Sequence, residues 1–244
     1  TGVQTCALPI CVLNGVFDDA VRFGEIEVNP CDKIKLPKPK EFRGKAYTAE
    51  QAMTLVNGLE GDPAKAGIML ALFLGLRRSE LVGLRWQDID FDNDIVHVRN
   101  TVVRFSKLHE EEHTKSKSSR RDIVLPATLK SYLKSLKAEQ DHNRELCGAD
   151  WINSDHVCAW PNGKAQSPDY IYDHYKKIIR KLGLPDIRLH DLRHTAGSLL
   201  INGGLSAKQV QEFLGHEDVS TTLNVYTHVN FEDAKAEIEK LNVV

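Results

Sequence analysis

One switch of hydrophobic period constrains the fold more than any other feature. A capping box, Thr48-Ala-Glu-Gln51, opens apolar patterns of helical spacing at residues 52–59 and 66–76. After Trp86 the pattern changes: Ile95, His97 and Arg99 alternate, residues 98–105 are rich in β-formers, and residues 121–125 read as a second short strand. Helical spacing returns at residues 128–146, 168–182, 189–201, 206–214, 219–228 and 231–241. The expected fold is therefore mainly α with a small antiparallel β-sheet, an α+β arrangement whose sheet carries a polar loop over residues 106–120. Long loops held on strands tend to carry function.

Composition narrows the class. At 41% hydrophobic and 27% charged residues the chain can bury a sizeable core, which excludes intrinsic disorder. The longest apolar stretch, residues 68–76, is too short for a bilayer crossing, and no charged-then-apolar leader opens the chain. We expect a cytoplasmic protein with neither a membrane span nor a signal peptide. Five cysteines without CxxC spacing indicate reduced thiols rather than a disulfide framework or a zinc ribbon. A net charge of −2, from 32 Lys+Arg against 34 Asp+Glu, argues against coating nucleic acid through bulk charge, but leaves open one basic face balanced by acidic helices.

Three stretches organise the chain. Residues 1–10, TGVQTCALPI, lack periodicity and resemble the translation of a sequencing-adapter oligonucleotide, so we expect them to be foreign to the gene. Val12, Val16, Ala20 and Phe23 sit at helical spacing with too little chain upstream to complete a bundle, and Asn29-Pro30 stops them. Residues 11–40 then read as the end of a core DNA-binding domain plus a stiff basic connector, Leu36-Pro-Lys-Pro-Lys-Glu41. The boundary falls near Glu41, and residues 41–244 form the next domain.

Four polar groups lie on apolar helix patterns or on the loop. Gly75-Leu-Arg-Arg-Ser-Glu-Leu81 places Arg77 and Glu80 three apart on one helical face. Thr114-Lys-Ser-Lys-Ser-Ser-Arg-Arg121 offers Lys115, Lys117, Arg120 and Arg121 among small hydroxyl residues, suited to a phosphate backbone. His190-Asp-Leu-Arg193 sets an imidazole and a guanidinium one turn apart, and Leu214-Gly-His216 is followed by Thr221-Thr-Leu-Asn-Val-Tyr226.

In this order two arginines, a lysine, two histidines and a tyrosine resemble the tyrosine recombinase (phage integrase) family over residues from about 41 to 230. The Gly-Leu-Arg, His-x-Leu-Arg-His and Leu-Gly-His contexts and the ten-residue step from His216 to Tyr226 carry the resemblance. It implies the tyrosine recombinase catalytic-domain fold, with Arg77, Lys117, His190, Arg193, His216 and Tyr226 as the catalytic set and Glu80 supporting the first arginine. Lys115, two residues away, is the alternative to Lys117.

These residue types suit the chemistry on its own terms. An attacked phosphodiester gathers negative charge on its non-bridging oxygens, and Arg77 and Arg193 each offer a planar fork of N–H donors. They take the place of a metal, and neither a metal nor a cofactor is expected: Asp88, Asp90, Asp92 and Asp94 occupy a turn without matching partners and read as a solvated connector. Tyrosine is only about a thousandth ionised at neutral pH, so Tyr226 needs a proton acceptor and a positive field, which His190 and the arginines supply. Lys117 reaches the departing 5' oxygen as general acid, and His216 hydrogen-bonds the phosphate or steadies Tyr226.

By resemblance the reaction cuts and rejoins DNA through a 3'-phosphotyrosine intermediate without ATP, and residues 196–229 are more similar to integrases of temperate phages and conjugative elements than to Xer recombinases. The implied partners are double-stranded DNA attachment sites, further copies of the chain in a tetramer, and an excision-directing accessory protein, with the work done at the bacterial nucleoid. The amphipathic tail, with Phe231, Ala234, Ile238 and Leu241 on one stripe, docks on a neighbouring protomer or on its own domain. Xer-type chromosome dimer resolution and type IB topoisomerase-like relaxation are the alternatives that share the chemistry, and a catalytically silent DNA-binding regulator shares only the fold.

Overall fold

The computed structural model describes residues 3–34, 45–99, 101–105, 107–111 and 120–215, and side chains over 12–34, 45–99 and 120–215. The chain divides into two units, Thr1–Arg43 and Gly44–Val244. In the first, helix α1 (Val3–Arg22) starts upstream of the periodic residues and runs through Pro9. Ala and Leu extend an existing helix at little cost, and a proline forfeits one backbone bond without ending it here. Gly24, at φ +77°, closes the helix. The returning chain is fastened by the buried Asn29, whose amide donates to Asp18 Oδ1 at 2.7 Å and to Asn14 Oδ1 at 3.1 Å. Val12, Leu13, Val16 and Phe23 stay exposed.

The second unit is built around helix α3. Helix α2 (Ala49–Asn57) begins at the Thr48–Gln51 capping box expected from the sequence. Helix α3 (Lys65–Leu74) is buried on nearly every side, as its unbroken apolar sequence requires. It packs against α4 (Arg78–Gly83), α5 (Ala127–Cys147), α6 (Pro168–Lys181) and α7 (Asp191–Asn202). Helix α5 is tied to the core by the buried Gln140, which accepts from the Trp86 indole at 2.9 Å and donates to the Val157 carbonyl at 3.0 Å.

Strands β1 (Ile89–Asp90), β2 (Ile95–Val98) and β5 (Arg121–Val124) form a three-stranded antiparallel sheet in that order, with Val96 opposite Ile123 and Val98 opposite Arg121. Strands β3 (Thr101–Phe105) and β4 (Lys107–Glu111) pair separately, Thr101 opposite Glu111 and Phe105 opposite Lys107. Residues 107–111, expected within the polar loop, instead form a strand because β3 is there to pair with, and residues 112–119 lie outside the described residues. Alternation on β5 buries Ile123 and exposes Asp122 and Val124.

The aspartate turn also needs correcting. Asp88 is buried and accepts the Arg85 amide at 3.2 Å, Asp90 accepts from the amides of Asp92 and Asn93 at 3.0 Å, and Asp94 holds Lys130 at 2.5 Å. These carboxylates cap and tie the turn rather than merely solvate it. Helix α8 (Ala207–Leu214) is amphipathic and rests on a small apolar cluster of Ile201, Val210 and Leu214, separate from the main core. Among the described residues no helix is long and apolar enough to cross a membrane.

Candidate catalytic site

Four expected site residues, Arg77, Glu80, His190 and Arg193, are brought into one region, around the point where α3 ends and α8 ends. Helix α3 stops at Gly75, in the left-handed conformation at φ +59°. A Cβ at Gly75 would fall 2.4 Å from Leu214 Cδ2, so the sharp turn and the close approach of α8 both require glycine. The chain leaves this turn extended, and Arg77 becomes the residue flanking α4 rather than a member of the helix. Glu80, in the first turn, reaches back: its Oε2 accepts the Arg77 amide at 2.9 Å and its Oε1 accepts Arg77 Nη1 at 2.8 Å. The expected pairing exists across the helix start, not along one helical face.

Glu80 is 2% exposed and has a second cation, Arg121, which donates to Oε1 at 3.1 Å and to Oε2 at 3.0 Å. Burial alone would raise its pKa. The hydrogen bonds and charge of Arg121, then those of Arg77, outweigh it and hold the carboxyl at about 2.

The three arginines meet at the end of α8. Arg121 Nε donates to the Phe213 carbonyl at 3.0 Å, Arg193 Nη2 donates to the Leu214 carbonyl, and Arg77 Nη2 donates to the Gly215 carbonyl at 2.9 Å. The last carbonyls of a helix lack intrahelical partners and carry its negative dipole end, so three guanidiniums in series complete them chemically. Arg193 is enclosed at 1% exposure and also donates to the Gly75 carbonyl at 2.7 Å, whereas the Arg77 side chain is 33% exposed. In this arrangement Arg77 faces outward and Arg193 forms the floor.

His190 flanks the start of α7 and is solvent-accessible. It borders a cleft of about 310 Å³ with Leu76, Leu81, Tyr172 and Leu189 as apolar walls and Arg78 and Arg188 at the rim. The protein packed around its ring, then the charges of His194 and Arg193, lower its pKa to about 4, against the opposing pull of Asp191. At neutral pH it is an unprotonated acceptor. Its neighbour His194, one turn on, meets it edge-on at 5.6 Å between ring centres.

Three features escape a motif-based reading. Asp191 is buried and braces the start of α7 by accepting Arg188 N at 2.8 Å and Arg188 Nη2 at 2.7 Å. His194 stands behind His190. Arg121, expected among the DNA-facing cations, turns inward with a side chain 6% exposed. The signal for it was alternation: Arg121 shares the Ile123 and Leu125 side of its strand, the buried side. Arg120 precedes it and is exposed. Lys115, Lys117, His216 and Tyr226 lie outside the described residues, as do the helical patterns at 219–228 and 231–241. Among the described residues no group of histidine, cysteine and carboxylate side chains is arranged to hold a metal ion.

Comparison with known proteins finds relatives in sequence and in fold. The chain is 30% identical to a tyrosine recombinase XerC-like protein of Caldanaerobacter subterraneus, over 94% of this chain and 63% of that protein. It is 30% identical to the transposase of transposon Tn916 from Enterococcus faecalis over 72% of this chain and 44% of that protein, and 27% identical to the ICEBs1 integrase of Bacillus subtilis over 94% and 63%. It thus spans less than two thirds of these relatives. The fold is similar to that of the Tn1549 transposon integrase in complex with a circular intermediate DNA, with a TM-score of 0.76 at 23% identity over 98% of this chain and 79% of that one. It is also similar to a lambda integrase dimer bound to a core site, with a TM-score of 0.63 at 19% identity over 93% and 76%. Residues 45–233 match the phage integrase family, and the chain belongs to that family.

Proposed function

We propose that the chain is the catalytic portion of a mobile-element integrase, a site-specific recombinase that cuts and rejoins double-stranded DNA through a 3'-phosphotyrosine bond. One observation carries the reading: Arg77 and Arg193 converge on the Leu214–Gly215 turn, which leads directly into His216 and, ten residues later, Tyr226. The names of the Tn916 and ICEBs1 relatives support a mobile element rather than chromosome dimer resolution or supercoil relaxation. In this reading residues 11–40 end a core DNA-binding domain and its linker, and residues 41–244 form the catalytic domain.

The Tyr226 oxygen attacks the scissile phosphorus, forming the Tyr–O–P bond as the P–O5' bond breaks. Neutral His190 accepts the tyrosine proton, and Arg77 and Arg193 offset the charge on the non-bridging oxygens. Lys117, or Lys115 beside it, gives a proton to the departing 5' oxygen, and Arg120 contacts the flanking backbone. His216 hydrogen-bonds the phosphate or holds Tyr226. A 5' hydroxyl from a second strand reverses the step, so cutting and joining are one reaction. The partners are attachment-site DNA on the nucleoid, three further copies of the chain, and an accessory protein that directs excision.

The deciding experiment uses a nicked suicide substrate. Tyr226→Phe should bind DNA as the parent does and form no covalent adduct, while EDTA leaves the parent's adduct intact. An adduct that persists in the variant at another tyrosine, such as Tyr170 or Tyr172, or one abolished by EDTA and restored by magnesium, overturns the reading.

A further inference from the structure

Arg121 lies at the start of β5, a few positions after Lys115 and Lys117 in the sequence. Its side chain spans two pieces of the site: both oxygens of Glu80 on α4 and the Phe213 carbonyl at the end of α8. Each Glu80 oxygen accepts once from Arg121 and once from Arg77, so the plane of the carboxylate is fixed from two sides. A carboxylate held from one side keeps some freedom to pivot; one held on both oxygens by the Arg121 fork and, opposite it, by the Arg77 amide and Nη1 is restrained further. Arg77, one-third exposed, inherits that restraint through Glu80.

We propose that Arg121 is a positioning residue for DNA cleavage, setting Arg77 through Glu80 and tying the end of α8 to α4 through the Phe213 carbonyl. The assignment rests on the recombinase reading above, but its test separates from that reading. A phosphate-contacting arginine is exposed and leaves the salt dependence of DNA binding lower by about one unit when removed. Arg121, at 6% side-chain exposure with its donors on Glu80 and Phe213, has a different address.

Three proteins decide the matter: the parent, Arg121→Met, and Arg121→Met combined with Glu80→Gln. The single variant leaves Glu80 charged and buried beside one cation instead of two, and its melting temperature should fall. The second change removes that charge, and the melting temperature should recover most of the loss. On saturating nicked DNA the single-turnover cleavage rate should nevertheless stay at least about tenfold below the parent in both variants, less than the roughly hundredfold cost of losing a preorganised donor outright, since Arg77 is displaced rather than removed. DNA affinity should stay within about twofold and the salt slope unchanged. A readout without cleavage is the rate at which phenylglyoxal modifies Arg77, followed by peptide mass, which should rise severalfold in both variants.

Cleavage that returns together with thermal stability reduces Arg121 to a fold-stabilising residue and overturns the proposal. A salt slope lowered by one unit makes it a phosphate contact, and an unchanged modification rate at Arg77 shows that Glu80 alone orients it; either result also overturns it. If the parent forms no adduct, the recombinase reading fails, and the Arg77 modification rates still judge Arg121.

Discussion

Removing the Glu80 carboxylate would leave Arg121 buried opposite Arg77 with nothing of opposite charge between them. Glu80→Ala should therefore destabilise the fold by about 3–5 kcal/mol, the usual result of stripping one partner from a buried ion pair, measured by urea unfolding at pH 7. The pH dependence follows from its ionisation at about 2 against an ordinary 4.5: the stabilisation is complete above 4.5 and is lost as pH falls toward 2. Glu80→Gln should flatten the urea midpoint across that interval relative to the parent. His190 behaves likewise for the opposite reason of charge. The folded chain leaves it neutral down to about 4, the unfolded chain protonates it near 6.5, and its contribution declines as pH drops between those values. An NMR titration of the His190 ring should place its midpoint near 4 in the free protein, and a midpoint near 6.5 would contradict the packing and the neighbouring charges described. At this scale motif spacing pointed to Arg77, Glu80, His190 and Arg193, which the fold brings into one region, because chemistry restricts which residue types suffice. It hid Arg121, since a cation beside other cations on a loop reads as solvated until strand alternation is followed through to residue 121.

Within the second unit, α8 has little apolar support, with Val210 and Leu214 as its buried hydrophobic residues. Leu214 fills the space against Gly75, so Gly75→Ala forces both a strained left-handed alanine and a displaced Leu214. We expect a loss of about 1–3 kcal/mol from overpacking, and pairing it with Leu214→Ala should recover the steric share, not the backbone share. Thermal unfolding of the two single variants and the double variant measures this; a fully additive double variant would show that the contact is relieved elsewhere. Helix α6 was legible in advance: residues 168–182 are expected and Pro168–Lys181 found, since period, proline and the Ser167 cap agree, whereas the first turns of α1 lie in residues 3–11, which carry no such period. Strand β4 was not, because Lys107–Glu111 has polar residues alternating with few apolar ones, and only its pairing with β3 defines it.

Across the whole molecule, the clasp at the end of α8 collects residues that are remote along the chain. Arg121 joins Glu80 across 41 positions and Phe213 across 92, Arg193 joins Gly75 across 118, and Arg77 joins Gly215 across 138. None of these bonds can form before a long loop has closed, whereas α3 and α5 gain their own hydrogen bonds locally. The expected consequence is kinetic: with such long loops to close, the site should assemble after the rate-limiting barrier of folding, on the native side of it. Glu80→Gln and Arg121→Met should leave the refolding rate within about twofold and place nearly all of their lost stability in faster unfolding. Stopped-flow tryptophan fluorescence across a range of urea concentrations reads both limbs, and a refolding rate that falls in step with stability would mean that the clasp is part of the folding nucleus. If it is not, the candidate site should open and close on a faster clock than the core that carries it, with the core already folded each time.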